Sequence, residues 1–194
     1  MNKIHLILTI HWFLYCIIHS LLANNTFKNF FSKYFKAGLT TYRLLYNIIA
    51  LFWLVGLIYY HVTINSKLLF QANVYTNVLA GVAVLAGAGI MGTCILKYFN
   101  QLSGLQDQKK SEKLQTHGLH QFVRHPLYFG TFVFLIGLLL FFPLLKNLLA
   151  VLIIITYTLA GTLLEEKKLI IQFGEDYIIY KKKVPMIFPR FKLR

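Results

Sequence analysis

Long apolar runs separated by short polar stretches dominate the chain. Five runs stand out, at residues 4–23, 42–62, 76–96, 126–142 and 145–164. Each approaches the ~20 residues that a helix needs to cross the hydrocarbon core of a bilayer. The pattern predicts an all-α integral membrane protein with about five transmembrane helices. The fourth run is short but ends at Pro143, and "PLLK" leads straight into the fifth, so the last two runs form a tight helical hairpin. The first run reads as a span rather than a secretory leader, because it lacks a strongly charged start and is followed by "NNTFKNFFSKYFK". Beyond the hairpin, Leu169, Phe173, Tyr177 and Tyr180 recur at helical spacing between Lys167-Lys168 and Lys181-Lys182-Lys183. That spacing predicts an amphipathic C-terminal helix lying on the bilayer surface, as an anchor, as a lid, or as both. The whole reads as one domain over 1–194, with a three-helix part at 1–96 and a hairpin and tail at 97–194.

Composition sharpens this picture. The chain is 57% hydrophobic with a mean hydropathy of +0.60, well above a soluble domain. Its net charge of +14 is unevenly placed. Segments 24–43, 97–125 and 165–194 hold 17 of the 20 Lys and Arg residues and all six acidic ones, leaving Lys3, Lys67 and Lys146 on the other side. By the positive-inside rule the N-terminus lies outside and the C-terminus in the cytoplasm. The charge therefore reports orientation, and no nucleic-acid partner is expected. Cys16 and Cys94 sit inside apolar runs and fit buried small hydrophobes. The third span carries Ala83/Gly87 and Ala88/Gly92 four apart, which suits close helix packing.

Chemistry concentrates at "QFVRHPLYFG", residues 121–130. Pro126 suits the first turn of a helix, where its missing N–H is not needed. At 1.5 Å per residue the chain climbs about 25 Å to Pro143 and descends about 30 Å to Glu165. Glu165 and Glu166 therefore return to the level of Arg124 and His125. A helix N-terminus and the fork of Arg124 suit a carboxylate or phosphate. The glutamates suit an ammonium or hydroxyls, and Tyr128 and Phe129 offer faces for a flat ring or a cation. The blander reading makes Arg124 a membrane anchor and the glutamates the polar start of a surface helix.

Histidines within the first two spans also need a reason, since polar groups there are costly. His11, His19 and His61 fit interhelical hydrogen bonds, haem ligation, or, for His19, contact with a substrate. His19 and His61 lie at opposite membrane levels and cannot share a haem. His5 and His61 share the outer level, which leaves an outer haem open.

"GLHQFVRHPLYFG" followed by "EEKKLIIQFGEDYIIYKKKVPMIFP" resembles the C-terminal half of the isoprenylcysteine carboxyl methyltransferase and phospholipid methyltransferase superfamily. The shared pattern is Arg-His-Pro-x-Tyr-x-Gly, a hairpin, Glu-Glu, Phe-Gly-x-x-Tyr-x-x-Tyr and a Val-Pro…Pro tail. "HSLLA" and "YRLLYN" near the N-terminus are similar to NnrU-type membrane proteins and methanethiol S-methyltransferases. The resemblance implies S-adenosylmethionine held at the cytoplasmic face of a bacterial inner membrane. The implied cofactor contacts are Gly118, Leu119, His120, Arg124, His125, Pro126, Tyr128, Glu165 and Glu166. His120 stands where many relatives carry tyrosine. His125 and Arg124 are the implied catalytic residues and His19 the substrate contact, with His120 a second candidate for taking a proton from a thiol. The acceptor would be a small thiol or a lipid-like molecule arriving through the bilayer. The alternative is a non-catalytic or haem-binding protein of the NnrU type.

Overall fold

The computed structural model describes residues 3–35, 38–102 and 113–190. Seven α-helices follow one another among the described residues: α1 (Lys3–Ala23), α2 (Asn25–Phe35), α3 (Leu39–Thr63), α4 (Val74–Leu102), α5 (Pro126–Phe141), α6 (Leu145–Phe173) and α7 (Glu175–Lys183). Among the described residues there is no strand, only an isolated bridge between Leu68 and Leu144. Four helices among the described residues are long and apolar enough to cross a membrane, and Pro126–Phe141 is a shorter apolar fifth. The protein is an all-α membrane protein, as the apolar runs predict. Part of the basic connection over 97–125, with Asp107, Lys109, Lys110 and Glu112, lies outside the described residues, as do Lys36, Lys192 and Arg194.

The chain divides into two compact units. The first holds α1, α2, α3 and the start of α6 up to Ile154. Leu8, Trp12, Leu57, Ile64 and Ala150 form its buried apolar core. A polar network closes one end. His5 Nε2 lies 2.8 Å from Ser66 Oγ, which also accepts the Lys146 backbone N–H at 3.0 Å. The buried Lys146 ammonium donates to the carbonyls of His61 (2.9 Å), Val62 (3.1 Å) and Ile64 (2.6 Å). These are carbonyls of the last turn of α3, which have no partner within the helix. The sequence places Lys146 in a turn; the structure makes it the cap of another helix. Lys146→Met strands those carbonyls in a buried setting and is expected to cost at least ~2 kcal/mol. Thermal unfolding in detergent checks this, with Lys146→Arg recovering part of the loss.

His61 spans the same network. Its Nδ1 accepts from Trp12 Nε1–H at 3.2 Å, and its Nε2 donates to Asn147 Oδ1 at 2.7 Å. His61 thus makes the interhelical hydrogen bonds expected of it, whereas His5 bonds to Ser66 in the connection after α3. His11 instead donates from Nδ1 to the Ile7 carbonyl of its own helix. The basic segment after α1 contains a helix that the sequence reading leaves as a connection. In α2, Phe27 and Phe31 pack on Tyr42, while Phe30 and Tyr34 stack on each other and stay exposed.

The second unit holds the membrane-spanning part of α4, with α5, α6 from Ile155 onward, and α7. The backbones of α4 and α5 touch. A Cβ on Gly87 would fall 2.5 Å from the Phe134 nitrogen and 2.8 Å from the Gly130 oxygen, and one on Gly137 would fall 2.8 Å from the Val84 nitrogen. Gly92 faces open space, so of the two small-residue pairs it is Gly87 in the first that supplies a close approach.

Helix α6 has 29 residues and is about 43 Å long, which exceeds the ~30 Å hydrocarbon core and carries Glu165 and Glu166 beyond it. The C-terminal helix differs from expectation. Leu169 and Phe173 belong to the end of α6, and the chain breaks at Gly174 with φ +57°, a conformation that glycine adopts without steric cost. Tyr177 and Tyr180 then lie on α7 and are buried in the protein rather than turned to the bilayer, while Lys181, Lys182 and Lys183 are exposed. Glu175 and Asp176 open α7 and the three lysines close it, as the helix dipole favours.

Candidate functional site

Residues 118–125 lead into α5. Gly118 has φ +68° and starts a 3-10 turn over Gly118–Gln121, where the Leu119 carbonyl accepts the N–H groups of Phe122 and Val123. The chain then bends at Arg124 and enters Pro126 at the first position of α5. Arg124 and His125 are pinned there from both main chain and side chain. The Arg124 N–H donates to the Pro185 carbonyl at 2.9 Å, and the His125 N–H to the Met186 carbonyl at 3.0 Å. This pairing exists because Val184-Pro185 ends α7 and lays the tail out with its carbonyls free.

The Arg124 side chain is buried and fully engaged. Its Nε and Nη2 reach Glu166 Oε1 at 2.7 and 2.5 Å, and Nη1 donates to the carbonyls of Lys181 (3.2 Å) and Val184. Glu166 is 3% exposed and takes Lys181 Nζ on its other oxygen at 3.1 Å. The hairpin thus brings both expected ends together, Arg124-His125 with Glu165-Glu166. Arg124 is, however, already occupied by the glutamate rather than free for a ligand.

His125 stacks on Tyr128, with ring centroids 5.6 Å apart. The Tyr128 hydroxyl donates to Glu165 Oε2 at 3.0 Å, and the Glu165 side chain is 45% exposed. His125 Nδ1 lies 3.7 Å from Glu165, and Nε2 lies 3.5 Å from Glu166 but out of hydrogen-bond geometry, so this buried nitrogen has no partner. The Tyr177 hydroxyl is also buried and unpartnered, although Glu166 and Arg124 lie nearby. Burial first, and then Glu166, push its ionisation up, so the phenol stays neutral. Tyr180 donates its hydroxyl to the His120 carbonyl at 2.6 Å. Beside these groups opens a cavity of about 600 Å³, lined among others by Gln121, Phe173, Asp176, Tyr180 and Val184. It meets the cluster at Tyr180 and Val184, the partners of His120 and Arg124.

Burial lowers the pKa of His125 below 6.5, aided by Arg124 and outweighing the upward pull of Glu165 and Glu166. Burial also lowers His120, with Lys97 and His125 adding to the effect. An unfolded chain takes these protons near 6.5, before the folded one does. Stability from this source is therefore complete above 6.5 and is lost as pH falls below it. The thermal midpoint in detergent is expected to drop between about pH 7 and pH 5.5, and His125→Gln to flatten that profile.

The residues fit the cofactor that the sequence resemblance implies. A half-exposed carboxylate at Glu165, an ammonium at Lys181, a stacked His125–Tyr128 wall and two unpartnered buried polar atoms offer complementary groups to an amino-acid and nucleoside ligand. Lys181, Tyr177 and Tyr180 are missing from the sequence-derived set. His19 lies in the first unit, stacked on Tyr15 at 5.9 Å, and its Nδ1 is buried without a partner.

Fold and site together define a polytopic α-helical membrane protein with a buried ion-pair cluster across a helical hairpin. The model of the phospholipid methyltransferase family matches residues 66–176, more than half of the chain, and the chain belongs to that family. It is similar to methanethiol S-methyltransferase of Crocosphaera subtropica, 36% identical over 40% of this chain and 29% of the relative. Protein-S-isoprenylcysteine O-methyltransferase of Xenopus laevis is 33% identical over 61% of this chain and 42% of its own length. Methanethiol S-methyltransferase of Pseudomonas deceptionensis is 28% identical over 92% of this chain and 70% of its own length. The chain thus spans less than half the length of the first two relatives. No solved structure matches it.

Proposed function

We propose that the protein is a membrane methyltransferase that uses S-adenosylmethionine and acts on a small thiol or lipid-like acceptor at the cytoplasmic face. The observation that carries this reading is the Arg124–Glu166 cluster, with the unpartnered His125 Nε2 and the exposed Glu165 beside it. Family membership and the names of the relatives support it.

In this reading Glu165 would accept hydrogen bonds from the ligand's ammonium or ribose hydroxyls, and Lys181 and the start of α5 would face its carboxylate. His125 and Tyr128 would flank a flat or cationic part. Gly118, Leu119, His120 and Pro126 would shape the wall. Arg124, spent on Glu166, would hold the cluster together rather than touch the reacting atoms. When bound, the cofactor supplies an electrophilic methyl group on a sulfonium. The residues' task is then to orient two partners in line and to exclude water. A carboxylate acceptor needs no base. A thiol must lose a proton, and a neutral His125 has a lone pair to receive it. His19, with its unpartnered Nδ1, keeps a proposed contact with the acceptor. The rival haem reading has less support, because both ring nitrogens of His61 are hydrogen-bonded.

The test is calorimetry of S-adenosylmethionine with the purified protein in detergent, followed by labelled-methyl transfer to small thiols and to lipids. Glu165→Gln is expected to weaken binding about tenfold, the worth of one charged hydrogen bond. Folded wild-type protein that binds no cofactor would overturn the proposal.

A further inference from the structure

The first unit contains a second cavity, of about 410 Å³, lined by Ile7, His11, Trp53, Gly56, Leu57 and Tyr60. Nothing in the proposed methyl transfer uses it. Its lining is mostly apolar, as suits a small-molecule pocket of this size. Ile7, His11 and Gly56 are exposed and a Cβ on Gly56 would meet no atom within 4 Å, so the slot is open along the outer surface of α1 and α3. Trp53 offers an aromatic surface, and the rings of His11 and Tyr60 lie 5.8 Å apart.

His11 decides what could enter. Its Nδ1 sits 2.8 Å from the Ile7 carbonyl, which can only accept. The proton of the neutral ring therefore resides on Nδ1, and Nε2 presents a lone pair. Depth narrows the choice further. The start of α1 and the end of α3 share one level, since His5 Nε2 and Ser66 Oγ are 2.8 Å apart. Counted inward at 1.5 Å per residue, His11 lies about 12 Å along α1 from Lys3, and Gly56 about 10 Å along α3 from Thr63. A phospholipid headgroup does not reach that depth, and an acyl chain has no donor for a nitrogen whose isolation in hydrocarbon is costly.

We propose that this slot binds a bilayer-dissolved molecule whose flat ring carries a hydroxyl group, a phenol or quinol. The ring would pack over Gly56 beside Trp53, and the hydroxyl would donate to His11 Nε2. An apolar tail would leave along the lipid-facing side. None of the residues that line the slot has a part in the proposed methyl transfer.

The chain's two tryptophans, Trp12 and Trp53, make the test direct. The protein in nanodiscs is titrated with a brominated alkylphenol, with its methyl ether as control, and tryptophan quenching is followed. Saturable quenching is expected for wild type, abolished in Gly56→Leu, where the new side chain enters open space. His11→Phe is expected to weaken it about tenfold, as is the change to the ether. S-adenosylmethionine binding by each variant, or an unchanged elution volume, serves as the folding control. Quenching that rises linearly with probe and is unaltered in folded Gly56→Leu means partition into lipid and overturns the proposal. An ether that binds as tightly as the phenol overturns the role of His11.

Discussion

Arg124→Ala is expected to cost about 3–5 kcal/mol of stability, because it leaves a buried carboxylate without its main counter-charge. Glu166 is 3% exposed and would keep only Lys181, whose side chain is 46% exposed. The tail would lose its hydrogen bonds at the Lys181 and Val184 carbonyls as well. Two measurements separate structure from binding. Arg124→Met combined with Glu166→Leu removes both charges and is expected to recover most of the thermal stability. The same double variant is expected not to recover binding of S-adenosylmethionine. A double variant that binds like wild type would show that the ion pair is not needed for binding, leaving the cofactor to Glu165, Lys181, His125 and Tyr128.

Gly87→Leu is expected to prevent assembly of the second unit. The added side chain would start 2.5 Å from the Phe134 nitrogen and 2.8 Å from the Gly130 oxygen, and both neighbours are backbone. Helices in lipid associate through such close contacts, since no hydrophobic force drives one helix onto another. Loss of a monodisperse peak on size exclusion, together with loss of cofactor binding, is the expected readout. Gly92→Leu is the control, because Gly92 faces open space and the same substitution there should leave both properties intact.

The meeting of Arg124-His125 with Glu165-Glu166 was legible in the sequence, because Pro126 and Pro143 punctuate one helix and the rise per residue sets where the next returns. The five apolar runs were legible for the same reason: length against bilayer thickness is a strong constraint. The C-terminal side of the site was not. Tyr177 and Tyr180 share a period with Leu169 and Phe173, and that period hides the reversal at Gly174. Glycine followed by Glu175-Asp176 was the available signal, since acidic residues gather in a first helical turn. Without the reversal, Lys181 and the carbonyls of Val184, Pro185 and Met186 cannot be placed near Arg124. Lys146 was obscured by another effect: its role depends on the end of α3, 82 residues away at Ile64. Satisfaction of a distant helix end leaves no local pattern.

The link between the start of α5 and the tail also has a consequence for synthesis. Arg124 precedes the Val184 carbonyl by 60 residues. At a translation rate of about 5–20 residues per second, it waits roughly 3–12 s for that partner to be made. During that interval both hairpin helices can enter the bilayer, but the cluster cannot close. A nascent chain arrested before Val184 would hold an inserted hairpin with an open cluster, which can close only once the end of α7 and Val184 have emerged.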